Sequence, residues 1–371
     1  IDPIVNGEAD AVFGSRMMHR GEARKGGMPL YKYVGNRILT TTQNTLTGLK
    51  LSEWHSGYRA YRVSALAQLP FVGNSDGFDF DTEIILQLAD AKMKIVEVPI
   101  PTYYGDEICH VNGLEYAKDV VIDTVRYRLG RSGFGSGHLG HVAEPYAFKP
   151  SPYSSHGRIL QMLQGRSPMR ILDVGCGPGW LAKALTDAGH TVVGVDIAAA
   201  EGVTQRMSRF VRADLADGIP DDVGGDFDLV LAADIIEHLP NPARLLSDMA
   251  GRVRPLGSII ASVPNISHWY PRFRITAGRF DYDQRGVLDE THLRFFTRRR
   301  FLRVAEEAGL EEVSFRHTGL PLDALGLSGS TVVTGTIGRA DRLLVSVWPT
   351  MFAYQFVYEF TPWRGGALRS D

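Results

Sequence analysis

Apolar positions in the second half of the chain come in short continuous runs rather than in alternation. "RILDVG" (170–175), "TVVGVDI" (191–197), "FDLVLAAD" (227–234) and "GSIIASVP" (257–264) are each bounded by glycine, proline or aspartate, and "RFVRADL" (209–215) lies between the second and third. Runs of this kind predict parallel strands buried on both faces. The stretch "WLAKALTDAG" has helical spacing and is stopped by Gly189. Strands alternating with helices predict a doubly wound α/β sheet. Near the end, "FAYQFVYEF" alternates and predicts a late strand at a sheet edge, paired as a hairpin. "LLVSVW" predicts a core helix separated from that strand by Pro349.

The first half patterns differently. "DAVFGSR" and "KIVEVPI" predict strands, and residues 31–47 and 81–91 predict helices. "GRSGFGSGHLGH" has few apolar positions and several turn residues, so it predicts a linker. The expected organisation is a unit over 1–128, a linker over 129–150 and a unit over 151–365.

Composition narrows the classes. The chain has 371 residues, 44% hydrophobic and 22% charged, with formal net charge −2. The length suits two domains, and no strong field favours nucleic acid. The two cysteines, Cys109 and Cys176, argue against a disulfide framework or a cysteine-rich zinc site. No apolar run reaches the ~18 residues of a membrane-spanning helix, and no signal peptide is visible. The expected location is cytoplasmic, with a peripheral position at the inner face of a membrane as the alternative. The chain opens at Ile1 in what reads as the end of a helix, so it is expected to be a fragment.

The turn "LDVGCGPGW" carries the most chemistry. Gly175, Gly177 and Gly179 let a strand turn sharply into a helix and let a ligand approach the backbone. Asp196, at the end of the next strand, is placed to accept hydrogen bonds from ribose hydroxyls. A dinucleotide fingerprint needs its third glycine one place later, and Asp173 opposes a pyrophosphate at the helix N-terminus. S-adenosylmethionine carries a sulfonium and an ammonium and no phosphate, so it suits that carboxylate. The alternatives are a glycine turn that binds nothing and a nicotinamide enzyme.

On these motifs the segment 150–315 resembles the class I S-adenosylmethionine-dependent methyltransferases, in the branch of the ubiquinone and menaquinone methyltransferases. The resemblance implies a Rossmann-like domain with a mostly parallel seven-stranded sheet. It implies S-adenosylmethionine as cofactor, held by Asp173, Gly175, Cys176, Gly177, Gly179, Asp196, Ile197, Asp214, Leu215 and Ala232. Asp214 would face the adenine amino group.

Methyl transfer to a hydroxyl needs an aligned acceptor and a proton acceptor. His238, in "IIEHLPNP", and His292, in "LDETHLRFFT", are the candidates, each with local packing as the alternative. A segment rich in aromatic and basic residues (265–287) precedes His292 and is placed to form an acceptor pocket. Arg298–Arg300 read as the start of a solvated helix face. The expected reaction is O-methylation of a small-molecule or glycan acceptor, a sugar-lipid included, with no metal at the site.

"ADAVFGSR", "SGYRAYR", "FDTEIILQL" and "VEVPIPTYY" in that order resemble the C-terminal half of family 2 glycosyltransferases of the dolichyl-phosphate mannose or glucose synthase type. The resemblance implies a truncated glycosyltransferase-A-type domain, and a polyprenyl-phosphate acceptor contacted by Arg16, Lys32 and Arg59. Arg59 and Arg62 have a structural alternative, pairing with Glu53, Asp81 or Glu83. The nucleotide-sugar half and its divalent metal would precede Ile1, so this chain is expected not to transfer sugar. Asp106, Glu107, Cys109 and His110 sit too close in one loop for a closed metal site. The intact protein is expected to be bifunctional, with a non-catalytic cofactor-binding domain as the alternative.

Overall fold

The computed structural model describes residues 1–104, 113–131, 135, 148, 151, 153–283, 285–320 and 331–363. The chain forms two compact units that divide between residues 143 and 144. The segment from 105 to 112, with Cys109 and His110, lies outside the described residues, as does most of the expected linker; residues 129–131 continue a helix.

The first unit holds three strands, β1 (Ala11–Ser15), β2 (Arg59–Tyr61) and β3 (Ile95–Pro99), in the order β2-β1-β3. β1 is antiparallel to β2 and parallel to β3, and it is buried at every position. The helix Phe80–Asp90 is buried from Thr82 to Leu88, with Thr82, Glu83 and Gln87 among its buried side chains. It shares a core with Phe13, Leu51, Trp54 and Tyr127. The last of these comes from the helix Gly113–Arg131, and the helix Leu30–Thr47 contributes buried Gln43.

The second unit is a seven-stranded sheet. Its strands are β4 (Arg170–Val174), β5 (Thr191–Asp196), β6 (Arg209–Arg212), β7 (Phe227–Ala233), β8 (Val253–Pro264), β9 (Leu310–His317) and β10 (Gln355–Pro362). The order is β6-β5-β4-β7-β8-β10-β9. From β6 to β8 every pairing is parallel; β10 runs antiparallel to both of its neighbours. This is the Rossmann-like methyltransferase fold.

Two expectations are corrected here. The late strand is internal rather than at an edge, and the edge is β9, which its charged pattern "LEEVSFRH" concealed. β10 is buried on both faces. Val357 packs with Ile159 and Leu163, while Phe356, Tyr358 and Phe360 pack with Phe301 on the other side. Its one acidic residue, Glu359, is held by Arg166 at 2.9 Å. The helix Thr331–Val347, which contains most of "LLVSVW", is not a core helix. Val345 is buried, whereas Leu343, Leu344, Val347 and the following Trp348 are exposed. Among the described residues, no helix is long and apolar enough to cross a membrane.

Candidate functional site

β4 ends at Val174 and the chain turns through three glycines in the left-handed region: φ is +74° at Gly175, +52° at Gly177 and +78° at Gly179. That conformation is cheap only without a side chain. Gly175 is also sterically required, because a Cβ there would lie 2.5 Å from Ile235 Cγ1. The turn is tied to β5 by hydrogen bonds from the Gly175 and Cys176 N–H groups to the Val195 carbonyl. Asp196 closes it: Oδ2 accepts from the Gly177 N–H at 2.8 Å and Oδ1 from the Ala198 N–H at 3.0 Å.

Asp173 is the buried charge of this turn. It is 1% exposed, and its Oδ2 has no hydrogen-bond partner. Burial, with Asp196 adding repulsion, pushes its carboxyl up to about 7. A buried carboxylate that lacks a partner suits a ligand that brings a cation. A cavity opens beside it, lined by His156, Asp173, Gly175, Cys176, Trp180, Leu181 and Ala233. Burial holds the Cys176 thiol far above its ordinary range, so it is a neutral wall of that cavity. The ring of Trp180 carries Arg206 stacked at 3.9 Å, and Arg206 also donates to the Pro178 carbonyl at 2.7 Å.

The structure brings Asp173, Gly175, Cys176, Gly177, Gly179 and Asp196 together at the ends of β4 and β5. Ile197 follows, with 56% exposure. Asp214 lies after β6 and accepts from the Ala216 N–H at 2.9 Å, while Leu215 is buried in the core. Ala232 is a correction. Its side chain joins the core, and the next residue, Ala233, faces the cavity, because neighbouring strand residues point to opposite faces.

Sequence reasoning missed His156, Ser155 and Asp234. Ser155 Oγ donates to Asp234 Oδ2 at 2.8 Å, and the Ser262 hydroxyl donates to the other oxygen. Asp234 sits at φ +56° just past β7, an unusual conformation for a residue with a side chain. The available signal was the acidic end of "VLAAD", which parallels Asp173 and Asp196 on neighbouring strands.

His238 and His292 meet edge to face with ring centres 4.8 Å apart. His238 Nδ1 lies 3.2 Å from both the Thr291 carbonyl and its hydroxyl. His292 is 9% exposed, and its Nε2 lies 4.0 Å from Glu237 Oε1. Burial is the main reason the His292 imidazolium is disfavoured, and His238 adds to it against the opposing pull of Asp289. The Glu237 carbonyl accepts from the N–H groups of Leu293 and Arg294, both at 2.9 Å, which joins the two segments. Glu237, His238 and His292 present ligand atoms within 4.8 Å of one another, so they could share a cation.

The segment after β8 folds against these histidines. Its helix Trp269–Thr276 is anchored by Arg274, which pairs with buried Asp283, and by the Tyr270 hydroxyl, which donates to Asp283 at 2.9 Å. Phe280, Tyr282 and Phe295 form a ring cluster, with Phe295 6.1 Å from His292. Arg298–Glu307 is a helix on which Arg299 and Arg300 are exposed, whereas Arg298 is half-buried, stacked 4.5 Å from the Phe315 ring centre and paired with Glu312.

In the first unit, Arg16 and Lys32 meet at one ring. Arg16 pairs with buried Glu53 and donates to the Tyr104 hydroxyl at 3.2 Å; Lys32 Nζ lies 5.3 Å from the Tyr104 ring centre. Arg59 is elsewhere. Its guanidinium is 4% exposed and is spent on the carbonyls of Trp54, Ser56 and Asp81 and on the Asp81 carboxylate. That is the structural arrangement, with no group left to face a phosphate. Arg62 pairs with Asp10 rather than with Glu53, Asp81 or Glu83.

Comparison with known proteins agrees with this geometry. Residues 153–314 match the family model described as a methyltransferase domain. The ubiquinone biosynthesis O-methyltransferase of Bordetella avium (strain 197N) is 30% identical over 184 residues, which are 46% of this chain and 73% of that protein. The enzyme of the same name from Idiomarina loihiensis is 27% identical over 43% of this chain and 68% of that protein. Among solved structures, the N-methyltransferase NodS from Bradyrhizobium japonicum WM9, in complex with S-adenosyl-L-homocysteine, covers 59% of this chain and 93% of that one, at 14% identity and a TM-score of 0.38. The glycine turn, the acidic strand ends and the two curated relatives lead to one conclusion: this chain belongs to the S-adenosylmethionine-dependent methyltransferases and uses S-adenosylmethionine as its cofactor.

Proposed function

We propose that the second unit transfers a methyl group to a hydroxyl of a glycan or sugar-lipid, with the His238–His292 pair as proton acceptor. The observation that carries this reading is the contact of those two rings beside an aromatic cluster, just past the C-terminal end of β7. S-adenosylmethionine, when bound, supplies a methyl group on a cationic sulfonium. Asp173 offers its buried carboxylate to the cationic part of that ligand, and Asp196 presents its remaining lone pairs to ribose hydroxyls. Phe280, Tyr282 and Phe295 give the acceptor a face to lie on. The histidine ring is placed to take the acceptor hydroxyl's proton, which would leave the oxygen ready to receive the methyl group while the sulfonium sulfur departs as a neutral thioether. A ring that burial keeps neutral is ready for that proton at neutral pH. The two curated relatives are O-methyltransferases by name, which favours oxygen as the acceptor atom.

A second reading concerns the acceptor only. The aromatic cluster and the two relatives named for ubiquinone biosynthesis also suit a hydroxyl on an aromatic ring. Assays with tritiated S-adenosylmethionine against glycan and phenolic acceptors separate the readings. Full activity of both His238→Ala and His292→Ala on the true acceptor would sink the role given to the pair.

The first unit is proposed as the C-terminal half of a glycosyltransferase-A-type domain, with Arg16 and Lys32 at a polyprenyl-phosphate acceptor. The proposed unit bounds are 1–128 and 151–365, with the helix Gly113–Arg131 carrying the first unit three residues further. The exposed side chains of Leu30, Tyr31, Val34 and Ile38, one helical turn apart and near Lys25 and Arg37, support a peripheral position at a membrane. Release from anionic vesicles on Val34→Glu with Ile38→Glu tests it; unchanged binding opposes it.

A further inference from the structure

At the outer edge of the second unit's sheet, two arginines approach one tyrosine, and a third, Arg316, lies within electrostatic reach of the first. Arg158 and Arg342 approach the Tyr153 ring, with guanidinium carbons 5.9 and 5.6 Å from its centre. Arg342 also donates to the Tyr153 hydroxyl at 2.9 Å. Arg158 reaches across to donate to the His317 carbonyl at 3.1 Å, next to Arg316 at the end of β9. None of the three makes an ion pair with a carboxylate among the described residues. Asp341, next to Arg342 in sequence, accepts from the Leu320 N–H at 3.2 Å and also lies in the field of Arg342.

Three guanidinium groups with the Asp341 carboxylate beside one of them leave an excess of positive charge that a bound anion would offset. Arg158 is also partly desolvated, while Arg316 and Arg342 are exposed. Burial, with Arg316 nearby, pulls the Arg158 guanidinium below its ordinary range. The same two arginines, after burial, disfavour the His317 imidazolium. Arginine forks match the oxygen geometry of a phosphate and bind it through charge-assisted hydrogen bonds.

The position gives the cluster a use. β9 runs parallel to β8 through β10, so His317 lies on the same rim of the sheet as Asp173, Asp196 and Asp234. Ser154, Ser155 and Arg158 belong to one helix start, and Ser155 is bonded to Asp234. Three strand spacings separate β7 from β9, about 14 Å at ~4.8 Å each. A sugar with a linked diphosphate, met by extended arginine side chains, could bridge that distance.

We propose that Tyr153, Arg158, Arg316 and Arg342 form an anchoring site for the phosphate or diphosphate group of the methyl acceptor. The inference rests on the reading of the acceptor as a glycan or sugar-lipid, and it narrows that class to phosphorylated members. The anchor holds the acceptor by its charged end, while the reacting hydroxyl lies over β7.

The test uses inorganic pyrophosphate as the probe, so it does not depend on finding the acceptor. The full chain and the double variant Arg316→Ala/Arg342→Ala are titrated calorimetrically at fixed ionic strength, and S-adenosylmethionine is titrated into both. Both substituted side chains are exposed, so the fold should survive; retained S-adenosylmethionine binding verifies it. The expected result is pyrophosphate binding weakened roughly tenfold or more in the double variant, with cofactor affinity unchanged. Arg342→Glu alone should weaken it at least as much. The proposal is overturned by no pyrophosphate binding in the native chain, or by equal binding in the variants. A parallel loss of cofactor affinity also overturns it, because the arginines would then serve the cofactor's own carboxylate. Neither failure touches methyl transfer itself, which the histidine variants test separately.

Discussion

Asp196 holds Gly177: one carboxylate oxygen at the end of β5 accepts the Gly177 N–H at 2.8 Å, while the other caps Ala198. A single side chain therefore shapes the glycine turn, and in the proposed reading it also faces the cofactor. Asp196→Ala should leave both N–H groups without that partner, at roughly 1.5–3 kcal/mol per hydrogen bond to a charged acceptor. The expected outcome is a tenfold or greater loss of S-adenosylmethionine affinity by calorimetry. Undiminished affinity would remove Asp196 from the cofactor site.

Asp173 makes the site sensitive to pH. Its carboxyl is raised in the folded chain to about 7, from an ordinary value of 3.8. A raised acid keeps its proton in the folded state while the unfolded chain has already lost it, so stability of the ligand-free protein falls as pH rises from about 4 to about 7. A cationic ligand needs the ionised form, so S-adenosylmethionine affinity should rise with pH through about 7. Asp173→Asn should flatten both trends. Titrations at pH 6 and 8 check the affinity, and thermal melts check the stability; trends that persist in the variant would rule out Asp173 as their source.

Gly175 is confined by conformation and by space. Gly175→Ala must keep φ +74° and place a Cβ 2.5 Å from Ile235 Cγ1. Strain and overpacking together predict a loss of roughly 2–5 kcal/mol, seen as a lowered melting temperature of the second unit. Gly189→Ala shares the positive φ but has open space around it, so it should cost less.

Arg59 separates a structural role from a binding one. Arg59→Ala would strand the carbonyls of Trp54 and Ser56 in a buried setting and leave Asp81 without its ion pair. Destabilisation of the first unit by roughly 3–5 kcal/mol is expected. Arg59→Lys should not restore it, since one ammonium cannot replace a fork that serves several oxygens. A stable, folded Arg59→Ala chain would contradict this account.

Much of the second unit was legible because its signals are local. "RILDVG", "TVVGVDI" and "FDLVLAAD" are buried on both faces, so their apolar runs stand out from any neighbour. The glycine turn was legible for the same reason: positive φ at Gly175 and Gly179 and the close approach of Ile235 and Met207 admit only one residue type. β9 was not, since an edge strand needs little apolar surface and its glutamates and arginine face outward. The exposed side of the helix Thr331–Val347 was misread, because apolar composition does not say whether a partner element lies opposite.

The sequence by itself determined the strand–turn–helix of the cofactor site and the alternation that builds a Rossmann-like sheet. Both follow from contacts and dihedral limits within a few residues. Tertiary structure alone decided that β10 lies inside the sheet, that His238 and His292 touch, and that Arg158 and Arg342 share one tyrosine. Those pairings join residues dozens to nearly two hundred positions apart, and their geometry exists only once the strands take their order.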